Sequence, residues 1–509
     1  MRDIQRLILL IFKIVLGTSC FAQTNDFYQL ALAEKNVGQW QRAIVYVNQS
    51  MEGNNKNADA LFLRGFCKYE LKDYTSAIND LNEALSINNQ FAEALKIRGN
   101  AKYQQGLYKE AIDDFSATLN LDAKFTLAYF ERGLSYLKLK DYTKAIKDFD
   151  QTISMDANYA DAYRNKGVAL SETGNKKAAI ENYNKAIAIN AKDDNAYYNR
   201  AVAQSDLCYH PYAVEDYSTA IKLNAKFEQA YYNRGISYMD LKKMDMAVVD
   251  FSKAIELNPR CANCYTLRAI AKTYQNQHQE AITDYSKAIQ LDPKNTRFLM
   301  LSATEKSEYG DKKSALTDFN KIIELDAKHE HAYFLRAELK QSLTDLKGAV
   351  LDYDQVLLLN KTHVKALIGR GKAKMNLGDY EKAVIDYNEA SQLDPAQADV
   401  YFNRAVLYYT LKKYDNALAD YTKVFELNPG DVNANYNRAL VYFDTEHYFE
   451  AEQDLHKAIE INPSLAPAYY KLGLCKTYNA KGNEACHDFK KALELGYYAA
   501  EEQVEKYCK

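Results

Sequence analysis

One column of this sequence recurs without a miss. Alanine stands at Ala43, Ala77, Ala111, Ala145 and so on every 34 residues to Ala485, fourteen times in fourteen units, with no insertion or deletion. A chain with so strict a period cannot be an assortment of ordinary domains. Each unit must build the same small element, and the elements must bury their apolar faces against one another. Twelve residues before the alanine the residue is always Gly or Ala, as at Gly65, Gly133, Ala201, Gly235, Ala337 and Gly473. Four residues after it comes an aromatic in eleven units, among them Phe115, Tyr183, Phe251, Tyr353 and Phe489, and three further on often another Ala, as at Ala84, Ala186, Ala254 and Ala458. This recurring aromatic is part of why the chain has 42 Tyr but one Trp.

Offsets of 0, +4 and +7 fall on one face of a helix. Small residues twelve apart lie on two different helices and let their backbones approach closely. Turn residues such as Leu71-Lys72-Asp73-Tyr74 and Leu377-Gly378-Asp379-Tyr380 separate them. Pro259, Pro293, Pro395, Pro429 and Pro463 close five units where a helix interior is not disturbed. The spacing therefore predicts a helical hairpin per unit.

The pattern resembles the tetratricopeptide repeat, whose period is 34 and whose motif carries small residues, an aromatic and a closing Pro in these columns. The resemblance covers residues 24 to about 499. It implies an all-α fold: an α-solenoid, a right-handed superhelix of antiparallel helix pairs with a concave groove lined by the first helices. The expected organisation is a degenerate first repeat at 24–57, with Val47 for the aromatic and Trp40 in the turn, thirteen repeats over 58–499, and a polar capping helix over 500–509.

Residues 1–22 stand outside the period. Arg2 and Arg6 precede an apolar run broken by Lys13, and Cys20-Phe21-Ala22 follows. This reads as a secretory signal cut after Ala22, which would export the chain to the periplasm or beyond. Lipid attachment at Cys20 and retention as an anchor are the alternatives, the first weakened by Gly17 where Leu is usual, the second by Lys13 and shortness. Removing three positive charges and one negative takes the net charge from −3 to −5. Mild acidity spread along the chain provides no footprint for nucleic acid. No other segment approaches the ~20 apolar residues of a membrane span.

A second pattern is ionic. The residue before the Gly/Ala column is Arg in ten units and the residue before the aromatic is Asp in twelve. The expected pairs lie sixteen residues apart: Arg64 with Asp80, Arg98 with Asp114, Arg200 with Asp216. Lys166 and Asn182 change together, whereas Ser302 and Leu472 break the rule by leaving Asp318 and Asp488. The pairs are expected to serve register and packing within a repeat, because a partly buried pair adds little net stability.

Chemistry-bearing constellations are scarce. Cys261-Ala-Asn-Cys264 lacks the βαβ context of a redox motif and the further ligands of a zinc site, and reads as a local disulfide or as packing. Cys475, Cys486 and Cys508 cluster in the last unit and its cap, where one disulfide is expected to staple the end of the stack. His329-Glu330-His331 reads as a solvated unit boundary. No catalytic set or phosphate loop appears, so neither catalysis nor a cofactor or metal is expected.

The groove holds the remaining candidates. Two residues before the Gly/Ala column stand Asn165, Asn199 and Asn233 in three successive units, and Asn403 and Asn437 later; Tyr198, Tyr232 and Tyr436 precede three of them. In the resembled family this column faces the groove, where an amide can pair with the backbone of a bound peptide. The family's clamp for acidic C-terminal tails is broken: Lys96 and Asn100 match its first helix, but Glu131, Asp161 and Asn165 stand where Asn, Lys and Arg are required. The expected function is a scaffold binding extended segments of partner proteins. The alternative is a structural or assembly lipoprotein of the cell envelope.

Overall fold

The computed structural model describes residues 26–52 and 57–508. The predicted signal segment 1–22 lies outside them. Every regular element among the described residues is helical, and the helices follow the period as pairs, for example Ala58–Glu70 with Tyr74–Ile87 and Ala92–Gln104 with Tyr108–Leu121. Each unit is numbered here as a repeat, from 24–57 as repeat 1 to 466–499 as repeat 14. Among the described residues, no helix is long and apolar enough to cross a membrane.

The pairing follows from the side chains. The recurring alanines are fully buried, as at Ala77, Ala111 and Ala383, and the aromatics four residues on fill the space between the two helices of a hairpin. The glycine twelve before the alanine lies under that ring. A Cβ on Gly99 would stand 2.7 Å from Phe115 Cε1, and one on Gly473 2.6 Å from Phe489 Cε1. The ring therefore rests directly on backbone, and the helices close to a distance that larger residues would prevent.

Two local devices punctuate the repeat. Each hairpin turn passes through one left-handed residue, a glycine at Gly106, Gly174 and Gly378 but a side-chain-bearing residue at Lys72, Lys140, Cys208, Lys412 and, least suitably, the β-branched Thr344 at φ 64°. Repeat 9 differs: its first helix, Thr296–Tyr309, runs one residue longer and Gly310 follows at φ −130° and ψ −143°. Most second helices end at an Asp or Asn whose side-chain oxygen accepts from the amide two residues on, as Asp122 does from Lys124 at 2.8 Å and Asn224 from Lys226 at 3.1 Å. That turn starts the next first helix.

The chain divides into two compact units with the boundary between Gln275 and Asn276, inside the turn of repeat 8. Each unit is by itself an array of packed helix pairs. At the C-terminus a short 3-10 turn, Tyr498–Ala500, leads to the helix Glu501–Tyr507, whose Tyr507 ring stacks 6.0 Å from Phe489.

Candidate functional site

The sixteen-residue spacing places the arginine of each first helix opposite the aspartate of the second. Arg64 donates through Nε and Nη2 to the two oxygens of Asp80 at 2.8 and 2.7 Å, Arg98 to Asp114 at 2.9 and 2.5 Å, and Arg200 to Asp216 at 2.7 and 2.6 Å. These forks leave Nη1, which reaches back to the preceding repeat: to Asn48, Asn82 and Asn184 at 2.9, 2.8 and 2.6 Å. One guanidinium thus links three helices, two in its own repeat and one in the repeat before. Hydrogen bonding to Asp80 raises the Arg64 guanidinium above its ordinary value, and burial pushes the Asp250 carboxyl up while Arg234 pulls it back.

A second cation completes the lattice. Four residues after the arginine, Lys68, Lys102, Lys340 and Lys374 approach the same aspartates at 2.8 to 2.9 Å. This column explains the two exceptions. Where arginine is missing, Ser302 and Lys306 both donate to Asp318 at 2.7 Å, and Lys476 holds Asp488 at 2.7 Å. In repeat 5, Lys166 keeps the backward contact instead, 2.6 Å to Asp150, while Asn182 turns to the carbonyl of Ala178 at 2.8 Å. The arginine row is therefore saturated by the stack and offers little to an anionic ligand.

The groove amides do not behave as one set. Asn165 and Asn403 donate to the carbonyls of Asp161 and Asp399 in their own helices, at 2.8 and 2.6 Å, and remain at the surface. Asn233 donates to the hydroxyl of Tyr198 at 2.9 Å, and Asn199 and Asn437 are half-buried. The tyrosines act mainly as wedges. Tyr198 packs between Tyr217 at 5.9 Å and Phe227 at 4.7 Å, Tyr232 lies 6.1 Å from Phe251, and Tyr436 joins the cluster around Leu455 and Leu472.

The open space lies elsewhere. In the second unit a 630 Å³ pocket is lined by the first helices of repeats 10 and 11 and the start of the next, with Glu338, Lys365, Gly369 and Lys372 on its walls and Tyr353 on its floor. A 280 Å³ neighbour continues from Glu338 and Ser342 towards Thr304 and Lys312. In the first unit a 140 Å³ cavity is bounded by Tyr69, Asn100, Tyr103, Phe130 and Glu131. Gly369 was visible as the one glycine in the groove-facing column, but its meaning needs Tyr353 beneath it.

Models of the tetratricopeptide repeat match residues 130–195, 228–261, 262–295, 371–412, 398–431 and 432–465, and a model of anaphase-promoting complex, cyclosome, subunit 3 matches 36–118. The chain belongs to the tetratricopeptide repeat family. As such it is a repeat scaffold of the protein-interaction type. No curated protein matches it. Among solved structures, MamA is 28% identical and covers 32% of this chain and 96% of its own, at a TM-score of 0.31. The C-terminal part of a TPR repeat-containing protein from Cytophaga hutchinsonii is 22% identical over 46% of this chain and 96% of its own, at 0.42. Yeast Tom70 is 16% identical over 96% of both chains, at 0.35.

Within this tetratricopeptide array the broken clamp has a physical form. Glu131 Oε1 accepts from Asn100 at 3.0 Å and lies 3.5 Å from Lys96 Nζ, so the two residues that match the clamp's first helix are engaged by a side chain of the next repeat. The cysteines also resolve. Cys486 pairs with Cys508, tying the last hairpin to the terminal helix, while Cys475 stays a buried thiol pushed up to about 12 by burial. Cys261 pairs with Cys264 at the start of a first helix, and with Glu228 they form the one candidate metal grouping among the described residues, although both sulfurs are held in the disulfide. His329 caps its helix, with Nδ1 accepting from the amide of Ala332 at 3.3 Å.

Proposed function

We propose that this scaffold binds extended segments of partner proteins along the face formed by its first helices, without catalysis, and that it works outside the cytoplasm. The observation that carries the reading is that three cavities, of 630, 280 and 140 Å³, are lined chiefly by first helices of neighbouring repeats, while a shallow 400 Å³ space lies apart at the terminal helix beside Tyr498 and Glu505. Such clefts suit side chains projecting from an extended backbone. Several along one chain allow weak contacts to add. Export is supported by the charged and apolar pattern of residues 1–22 and by four of the eight cysteines lying in disulfides.

A photo-crosslinking amino acid placed at Lys372 or Asn376 in the groove, or at the exposed Ile385 of a second helix, tests the site in the producing cell. Adducts from the groove positions and not from Ile385 are expected. Adducts confined to Ile385 would refute groove binding. N-terminal sequencing of the same preparation, with Gln23 as the expected first residue, tests export and cleavage.

A further inference from the structure

Glu131 does more than engage the clamp residues. Both its protein partners, Asn100 and Lys96, use Oε1. Its other oxygen, Oε2, is shielded from solvent and has no protein donor. A buried carboxylate oxygen in that position is an uncommon arrangement and calls for an explanation. The surroundings supply one. Glu131 lines the 140 Å³ cavity together with Tyr69, Tyr103 and Phe130, so one acidic group is set among aromatic rings. Asn100, on the same wall, donates its amide to Oε1 at 3.0 Å.

We propose that this cavity is a subsite for a cationic side-chain tip, the ammonium of lysine or the guanidinium of arginine, carried by an extended segment in the groove. The proposal rests on the groove reading above and adds the chemistry of one position within it. A cationic tip entering the cavity would bring N–H donors toward which the carboxylate can turn its unbonded oxygen, and aromatic rings attract cations through their electron-rich faces. An apolar tip would leave Oε2 unmatched, and an anionic one would meet like charge. Lys96, 3.5 Å from Oε1, offsets part of the carboxylate's charge but leaves Oε2 without a donor. The volume corresponds to roughly four water molecules, enough for the end of a long side chain and too little for a folded element. Glutamate occurs in this column in repeat 4 alone, where other repeats have Asn, Gln, Leu, Ile, Gly or Lys.

The test uses the purified full chain and fluorescein-labelled nonapeptides, acetylated and amidated, in an Ala/Gln host with Lys, Arg, norleucine or Glu at the centre. Fluorescence anisotropy is expected to rank Lys and Arg at least about tenfold above norleucine, with Glu weakest. Glu131→Gln keeps the shape and the Asn100 contact, and should bring the Lys and norleucine peptides to within about twofold of each other without weakening norleucine. Tyr103→Leu, which removes one aromatic wall and leaves the carboxylate, should weaken the Lys peptide selectively; thermal melting of both variants checks folding. Equal binding of Lys and norleucine by the native chain, or a Lys preference that survives Glu131→Gln, overturns the subsite and leaves groove binding standing. Absence of binding by every peptide also overturns it, while the groove reading is judged separately by the crosslinks from Lys372 and Asn376.

Discussion

Asp386 offers the sharpest test of what the charge lattice does. Its side chain is 1% exposed and takes three donors: Arg370 Nε at 3.0 Å, Arg370 Nη2 at 2.6 Å and Lys374 Nζ at 2.8 Å. The cations are themselves largely buried, at 17% and 13% exposure, so replacing the aspartate strands both. Removing one partner of a buried pair costs about 3–5 kcal/mol. Here the lower end applies, because Arg370 Nη1 keeps Asp354 at 2.7 Å and the lysine stem can carry its ammonium towards water. Asp386→Asn should therefore destabilise this repeat by about 3 kcal/mol. Lys374→Met is the control: it leaves the bidentate fork intact and should cost about 1 kcal/mol or less.

A stack of repeats does not unfold in one step, so the measurement must be local. Native-state hydrogen exchange of the amides in Tyr380–Leu393 and in the facing helix Val364–Asn376 reads the cost where it arises. The loss should fade within a repeat or two on either side. A cost below about 1 kcal/mol, or one equal to that of Lys374→Met, would refute the view that the aspartate is the common anchor of the two cations.

Three further outcomes follow from the same structure. Thr344→Gly removes a β-branched side chain from a left-handed turn position and should raise local stability by about 1 kcal/mol, read by hydrogen exchange in the flanking helices; a loss would refute the strain. Among the three unpaired cysteines described, brief alkylation of the native chain near pH 8 should modify Cys208, which is exposed, and spare Cys67 and Cys475, whose buried thiols are pushed up to about 11 and about 12; equal labelling of all three, scored by peptide mass, would contradict this. Burial raises the carboxyl of Asp488 despite Lys476, so its contribution is present at low pH and is lost as pH rises through the folded value. Exchange protection of Gly482–Glu494 should accordingly increase on acidification from neutrality into the upper carboxylate range, and Asp488→Asn should flatten that slope.

Much of the fold is legible because the period repeats the same contact. Small residues at Gly99 and Ala111 and a ring at Phe115 have one use in a 34-residue helical unit, and the structure puts all three at one helix crossing. The arginine and aspartate columns were legible for the same reason. The lysine four residues after the arginine was not, since a lysine on a helix is ordinarily a solvated charge and sequence alone does not show that Lys68 and Arg64 converge on Asp80. Nor was the backward reach of Nη1, which needs the spacing between repeats. The amide column illustrates the opposite difficulty. Asn165 and Asn233 are one residue type in one register, yet one bonds to a backbone carbonyl and the other to Tyr198, because a short amide takes whichever partner its neighbours bring within reach.

Under the proposed function, this contrast indicates where binding specificity would reside. A column that repeats faithfully supports the stack, and its polar groups are satisfied there, as the guanidinium forks are. Ligand chemistry then falls to positions where a repeat departs from its siblings. Glu131 is one such departure. Gly369 is another: a Cβ there would stand 2.5 Å from Tyr353 Cζ, so glycine lets that ring extend under the groove and its hydroxyl meet Gln341 at 3.2 Å. Beside it Glu338 and Lys372 occupy the column that holds Val202, Ile236 and Val406 elsewhere, which makes this stretch of the groove locally charged. Restoring the common residues at these positions should therefore leave the helix pairs standing while erasing what distinguishes one stretch of the groove from the next.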